Sequence, residues 1–332
     1  MANITVLGAG AWGTAFGQVL ADAGNNVTMW AIEPEIVTAI QTEHRNPVRL
    51  PSVEKLPSNM TATGDRAAAV AHADVVVVAI AAQVARKALA DFKGLIPDSA
   101  LVVSLMKGIE KSTGKRMDQV VSEALDLPSD RFAAVSGPNL SKQIAAREPA
   151  ATVIACTDIK QARTMAGYCT TDYFKAFITA DVIGLELCGS LKNVVALAVG
   201  MSHGAGYGEN TAAMIETRGL TELTAVGTAA GALPETFHGL AGVGDLIATC
   251  GSPLSRNYTF GFNLGKGMSV EEATKASDGV AEGVATASAV VELGKQYHVD
   301  TPLAKAVTRV LNDGISFDQM VAEMFPQGIT VE

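Results

Sequence analysis

The chain has 332 residues, about twice a typical domain length, so two domains are expected. With 48% apolar and 18% charged residues, it has the balance of a globular protein with a large core. A net charge of −9 with no basic run argues against a nucleic-acid surface, and leaves anion binding to a few placed cations and helix N-termini.

The first residues pass straight from Met1-Ala2-Asn3 into a strand pattern, with no basic leader and no cleavage signature, so a cytoplasmic location is expected. Ile4–Leu7, Asn26–Trp30, Asp74–Ile80, Leu101–Ser104, Phe132–Val135 and Thr152–Ala155 read as short strands, mostly apolar on both faces. Such strands belong to a sheet covered by helices on each side, and Ala11–Ala23 and Ala82–Phe92 read as two of those helices. Tyr173–Ile178 adds an edge strand. No apolar run approaches the roughly 20 residues of a membrane span; the longest, Val75 to Ala82, suits a buried strand. After about Thr179 the pattern turns helical, over Val182–Ser202, Asn210–Ala230, Arg256–Gly265, Val284–Tyr297 and Thr301–Leu311, with Pro302 in a first turn. The expected fold class is α/β: a Rossmann-type, doubly wound sheet over residues 1–180, then an all-helical domain over 181–332, with the site in a cleft between them.

Cys156, Cys169, Cys188 and Cys250 are far apart and form no C-x-x-C pair, which argues against a zinc ribbon or a disulfide framework. His44, His72, His203, His238 and His298 have neither metal-ligand spacing nor a hydrolase-type partner, so no metal is expected.

The segment from Ile4 to Ala15 places G-x-G-x-x-G between a strand and a helix. Gly8 allows the tight turn, Gly10 lets a pyrophosphate approach the backbone, and Gly13 lets helix and strand pack closely. Free N–H groups at the helix start then face the phosphates. Glu33, twenty positions past Gly13, is placed to bond a ribose 2′-OH and repel a 2′-phosphate, which favours NAD(H) over NADP(H).

Further ordered segments run nearly end to end: Arg45-Asn46-Pro47 with Leu50-Pro51, Lys107-Gly108-Ile109-Glu110, Ser136-Gly137-Pro138 and Leu191-Lys192-Asn193-Val194. Thr217-Arg218-Gly219-Leu220, Gly242 to Leu246, Thr249 to Ser252, Ser255-Arg256-Asn257 and Glu282-Gly283 follow. With the glycine loop, these resemble the NAD(P)-dependent glycerol-3-phosphate dehydrogenase family. The resemblance implies reversible reduction of dihydroxyacetone phosphate to sn-glycerol 3-phosphate for phospholipid synthesis, by a homodimer with no membrane span. It implies Lys192 as proton donor and acceptor with Asp245 beside it. Substrate contacts would come from Lys107, Gly137, Asn139, Ser255, Arg256 and Asn257. Cofactor contacts would come from the loop with Ala11 and Trp12, from Ile32, Glu33, Lys107, Ser141 and Arg256, and from Val280 and Glu282. Three positions depart from the commoner pattern: Ala11 for Ser, Asn139 for Ser or Thr, and Ser141 for Ala. Ile32 stands where many members carry a basic or polar residue, which weakens a 2′-phosphate contact.

The residues themselves fit that chemistry. Lys192 sits among Cys188, Gly189, Val195 and Ala196 at helical spacing, and desolvation on such a face favours the neutral amine and proton exchange near neutrality. Asp245 precedes an apolar helical run, as an N-cap does, and could also orient Lys192. Arg256 offers forked bonds to a phosphate, with Ser255 and Asn257 adding donors at a helix start. Lys107 follows a strand's C-terminal end, where open α/β sheets bind ligands. Two alternatives stay open: a related hydroxyacid dehydrogenase of the same layout, and an NAD(P)H-sensing protein without turnover.

Overall fold

The computed structural model describes residues 1–277 and 281–324. The chain divides into two compact units, Met1–Glu110 with Lys115–Glu186, and Lys111–Gly114 with Leu187 onward.

The first unit is built on ten strands: β1 Asn3–Leu7, β2 Asn26–Trp30, β3 Met60–Thr63, β4 Val75–Val78, β5 Leu101–Ser104, β6 Ile109–Glu110, β7 Lys115–Arg116, β8 Phe132–Ser136, β9 Ala150–Cys156 and β10 Phe174–Thr179. Eight form one sheet in the order β10-β9-β8-β5-β4-β1-β2-β3, and β6 with β7 makes a separate small hairpin. From β3 to β8 the pairing is parallel throughout. β9 runs antiparallel to β8, and β10 parallel to β9. The order 3-2-1-4-5-8 is that of a doubly wound dinucleotide fold, whose order reverses between β1 and β4. The four valines of β4 are buried on both faces, as a central parallel strand requires. Phe16, Val19 and Leu20 of the helix Ala11–Asp22 pack with Val6, Val27, Met29 and Val77 in one core. That helix stops before Gly24, whose φ of +90° ends the run.

Two elements differ from expectation. Met60–Thr63 is a strand although its sequence, Met-Thr-Ala-Thr, carries no apolar run; it lies at the sheet edge, with Met60 buried and Thr61 exposed. The expected helix Ala82–Phe92 is a 3₁₀ turn, Ala82–Val84, followed by a short α-helix, Ala85–Ala90.

The second unit is helical. Helix Val182–Gly204 runs into it, and is long and apolar enough to cross a membrane by length and composition. In the sequence, Glu186 and Lys192 interrupt its apolar run. Nearly all of the helix is buried, the condition of a core helix. All four cysteines are buried thiols.

Helices Glu209–Ala229 and Pro302–Asp313 are joined by an unusual cap. Pro302 occupies the first helical position, and no side chain of the N-cap, Thr301, closes the turn. Instead the buried carboxylate of Glu222 accepts the N–H of Leu303 at 2.8 Å and of Ala304 at 3.1 Å. Burial pushes this carboxyl up from 4.5 to about 7, against the two N–H bonds that pull it down. The folded chain thus holds the proton more tightly than the unfolded chain. The stabilisation is complete below pH 4.5 and is lost as pH rises through 7, by about 3 kcal/mol. Glu222→Gln should therefore gain on the wild type in thermal unfolding temperature between pH 5 and pH 8; a constant gap over that range would contradict this.

Candidate active site

In the first unit, Gly8 opens the loop after β1 with φ +112°. A Cβ there would lie 2.6 Å from the carbonyl oxygen of Ala79, and a Cβ at Gly13 would overlap the carbonyl oxygen of Gly8. Both glycines are therefore needed to fold the loop against β4 and the helix start. At Gly10 the Cβ position faces open space. Gly10 is also the N-cap, with no side chain closing the first turn of the helix that begins at Ala11. Trp12 Nε1 is buried without a hydrogen-bond partner among the described residues. A helix start with no capping side chain, an open Cβ position at Gly10 and the buried indole donor of Trp12 fit the pyrophosphate of a dinucleotide. Asn46 fastens this loop: its Nδ2 donates to the carbonyl of Ala9 and to the hydroxyl of Thr14, both at 2.9 Å, and its Oδ1 accepts the N–H of Arg49 at 3.0 Å. The resemblance had included Asn46 without giving it a role.

At the end of β2, Ile32 is 72% exposed, and Glu33 occupies the N-cap position of a short helix that begins at Pro34, with no side-chain capping bond. Glu33 is paired with Arg49 at 3.4 Å, a contact the sequence did not reveal. Along the same sheet, Lys107 donates from Nζ to the carbonyl of Gly137 at 3.1 Å, which brings the loops after β5 and β8 together. Asn139 is engaged by β9: its Nδ2 donates to the Ala151 carbonyl at 3.2 Å, and its Oδ1 accepts the Thr152 hydroxyl at 2.9 Å. Ser141 begins the short helix Ser141–Ala145.

In the second unit, Lys192 and Asp245 meet although 53 residues separate them, with Nζ to Oδ1 at 2.5 Å. Both are buried, at 5% and 2% exposure. Lys192 Nζ also donates to the hydroxyl of Thr249, which in turn donates to Asp245 Oδ1 at 3.2 Å. Thr249 had no assigned role; its place one helical turn after Asp245 was the signal. The capping expectation for Asp245 is corrected. A π-helical turn, Leu240–Gly244, leads straight into the helix Asp245–Cys250, so Asp245 already has helical backbone angles and Gly244 is the cap. Its carboxylate faces the lysine.

Ser255 is the N-cap of helix Arg256–Gly265, accepting the N–H of Tyr258 at 3.3 Å, so Arg256 stands at the first helical position and is exposed. Asn257 is buried, and its Oδ1 accepts the N–H of Gly283 at 2.9 Å, which directs the amide nitrogen elsewhere. Glu282 begins the helix Glu282–Tyr297 beside it. Val280 lies outside the described residues.

Strand order and the glycine cradle place the chain among NAD(P)-binding oxidoreductases. The sequence model of the NAD-dependent glycerol-3-phosphate dehydrogenase N-terminus matches residues 3–162, and that of the C-terminus residues 181–322. A glycerol-3-phosphate dehydrogenase (NAD(P)+) of Bifidobacterium longum subsp. infantis is 74% identical over 330 residues, 99% of each chain. That of Streptomyces coelicolor is 45% identical over 327 residues, 98% of this chain and 97% of the relative. The crystal structure of glycerol-3-phosphate dehydrogenase from Coxiella burnetii superposes with a TM-score of 0.92 at 32% identity, over 98% of this chain and 99% of that one. The chain belongs to the NAD-dependent glycerol-3-phosphate dehydrogenase family.

Proposed function

We propose that the chain reduces dihydroxyacetone phosphate to sn-glycerol 3-phosphate with NADH or NADPH, reversibly, and supplies glycerol 3-phosphate for phospholipid synthesis in the cytoplasm. The buried Lys192–Asp245–Thr249 cluster carries this reading, because ketone reduction needs a positioned proton donor away from bulk water. When bound, the nicotinamide supplies the hydride to C2 of the substrate. Lys192 gives its proton to the developing alkoxide oxygen, and Asp245 and Thr249 aim the amine. Arg256, with the Ser255 hydroxyl and the Asn257 amide nitrogen, binds the phosphate; Lys107, Gly137 and Asn139 add substrate contacts. The glycine loop with Ala11 and Trp12 holds the pyrophosphate. Ile32, Glu33, Lys107, Ser141, Arg256, Val280 and Glu282 complete the cofactor contacts.

Between the two cofactors, NADH is the better one. Ile32 offers no polar contact, and Glu33 is a carboxylate where a 2′-phosphate would sit, although Arg49 offsets part of its charge. Glu33→Gln should raise the NADPH-to-NADH ratio of kcat/KM by about fivefold, the size of one partly screened charge contact. An unchanged ratio would remove Glu33 from cofactor choice. A homodimer is the assembly we infer; sedimentation equilibrium should give twice the chain mass.

The deciding experiment is the initial rate of NADH and NADPH oxidation with dihydroxyacetone phosphate, beside unphosphorylated dihydroxyacetone. Strong phosphate-dependent oxidation is expected. A folded protein that binds NADH and oxidises none of it with either ketone would overturn the proposal, and equal rates with both would point to a different hydroxy-compound dehydrogenase.

A further inference from the structure

Two helices of the second unit touch at their backbones. Helix Val182–Gly204 carries Gly200 and Gly204, four residues apart, and helix Arg256–Gly265 carries Gly261 and Gly265 at the same spacing. A Cβ at Gly200 would overlap the carbonyl oxygen of Tyr258, and one at Gly204 that of Phe262. In return, a Cβ at Gly261 would overlap the carbonyl oxygen of Leu197, and one at Gly265 that of Met201. Every obstacle is main chain, so no change of rotamer makes room.

The contacts form two rows, each stepping by four on both helices. Leu197 faces Gly261 and Met201 faces Gly265; Gly200 faces Tyr258 and Gly204 faces Phe262. The numbers rise together, so the helices run in the same direction, with rows of i, i+4 positions in contact. One step of four back pairs Asn193 with Asn257. Both approach Gly283: a Cβ on that glycine would lie 2.7 Å from the Asn193 carbonyl oxygen and 3.0 Å from Asn257 Oδ1. Lys192 and Arg256 each stand one residue before that pair.

We propose that this glycine crossing sets the span between Lys192 and Arg256, and so selects ketones whose phosphate ester is on the carbon next to the carbonyl. The inference rests on the proposed function. Gly200, Gly204, Gly261 and Gly265 are positioning residues, touching neither substrate nor cofactor. Helices packed through side chains sit about 8–10 Å apart with some latitude, whereas backbone contact leaves none. At one end of the span Lys192 is held by Asp245 and Thr249, and at the other the Ser255 cap fixes the first turn of the helix that Arg256 opens. Hydride and proton transfer need the carbonyl placed to within about 1 Å, and the phosphate anchor fixes where the carbonyl falls.

The test compares Gly200→Ala and Gly265→Ala with the wild type, using kcat/KM for dihydroxyacetone phosphate and for the slower substrate dihydroxyacetone at saturating NADH. Each variant should lose about 100-fold with the phosphorylated ketone, the usual cost of a misplacement near 1 Å, and under about threefold with the unphosphorylated one, which spans nothing. Equal losses on both substrates would mark the glycines as merely structural and overturn the proposal. Should the variants not fold, the wild type decides. A ketone phosphate with one extra methylene between carbonyl and phosphate should react no better than dihydroxyacetone, and turnover within about tenfold of dihydroxyacetone phosphate would overturn the proposal. A wild type with no phosphate preference at all would instead sink the proposed function itself.

Discussion

Lys192→Met is expected to lower kcat for ketone reduction by about 10²- to 10⁴-fold while NADH still binds, since the variant keeps the volume of the side chain and removes its proton. The geometry adds a second effect. Asp245 is buried and loses the cation 2.5 Å away, and a buried carboxylate stripped of its partner costs about 3–5 kcal/mol. The single variant should therefore also unfold at a lower temperature. The double variant Lys192→Met/Asp245→Asn separates the two effects, recovering much of the stability and none of the rate. A kcat within about tenfold of the wild type in the single variant would remove Lys192 from the chemistry.

Gly8→Ala should weaken NADH binding by about 10²- to 10³-fold. The new Cβ must take a positive φ, at roughly 1–2 kcal/mol, and must push against the Ala79 carbonyl 2.6 Å away, at roughly 1–3 kcal/mol more. The two nearest obstacles are main-chain atoms of Ala79, following β4, which no change of rotamer moves. The loop therefore moves off the position that leaves its N–H groups open. Fluorescence titration with NADH measures the loss, and a Kd within about threefold of the wild type would mean that the cradle is not the pyrophosphate site.

Much of this was legible in the sequence, for identifiable reasons. Asn26–Trp30, Leu101–Ser104 and Arg256–Gly265 were read to the residue, because each is bounded by turn or capping residues and keeps one period throughout. Met60–Thr63 was not, since an edge strand needs only one buried face and two inward residues leave little pattern. Five-residue helices such as Ser141–Ala145 are too short to show a period at all. The glycine loop declared itself through its strand–turn–helix setting. The Lys192–Asp245 contact is a different matter. No local pattern joins residues 53 apart, and family resemblance brought them together before the fold did. Asp245 resembled a cap because a π turn leaves no mark on the sequence that would distinguish it from a loop. The engagement of Asn139 by β9 and of Asn257 by Gly283 likewise depends on tertiary neighbours that periodicity does not encode.

The carboxylate of Glu222 at the start of the Pro302 helix makes the end of the chain a poor export. The instruction to begin that helix is divided between two places eighty residues apart, the proline in one and its hydrogen-bond acceptor in the other. Grafted alone onto another scaffold, residues 302–324 would arrive with an open first turn. A chain cut before residue 300 would keep an acid buried for a helix that is no longer there. Recombination between relatives should therefore succeed when both segments come from one parent, and chimeras that split them should fold poorly wherever the acceptor or the proline differs.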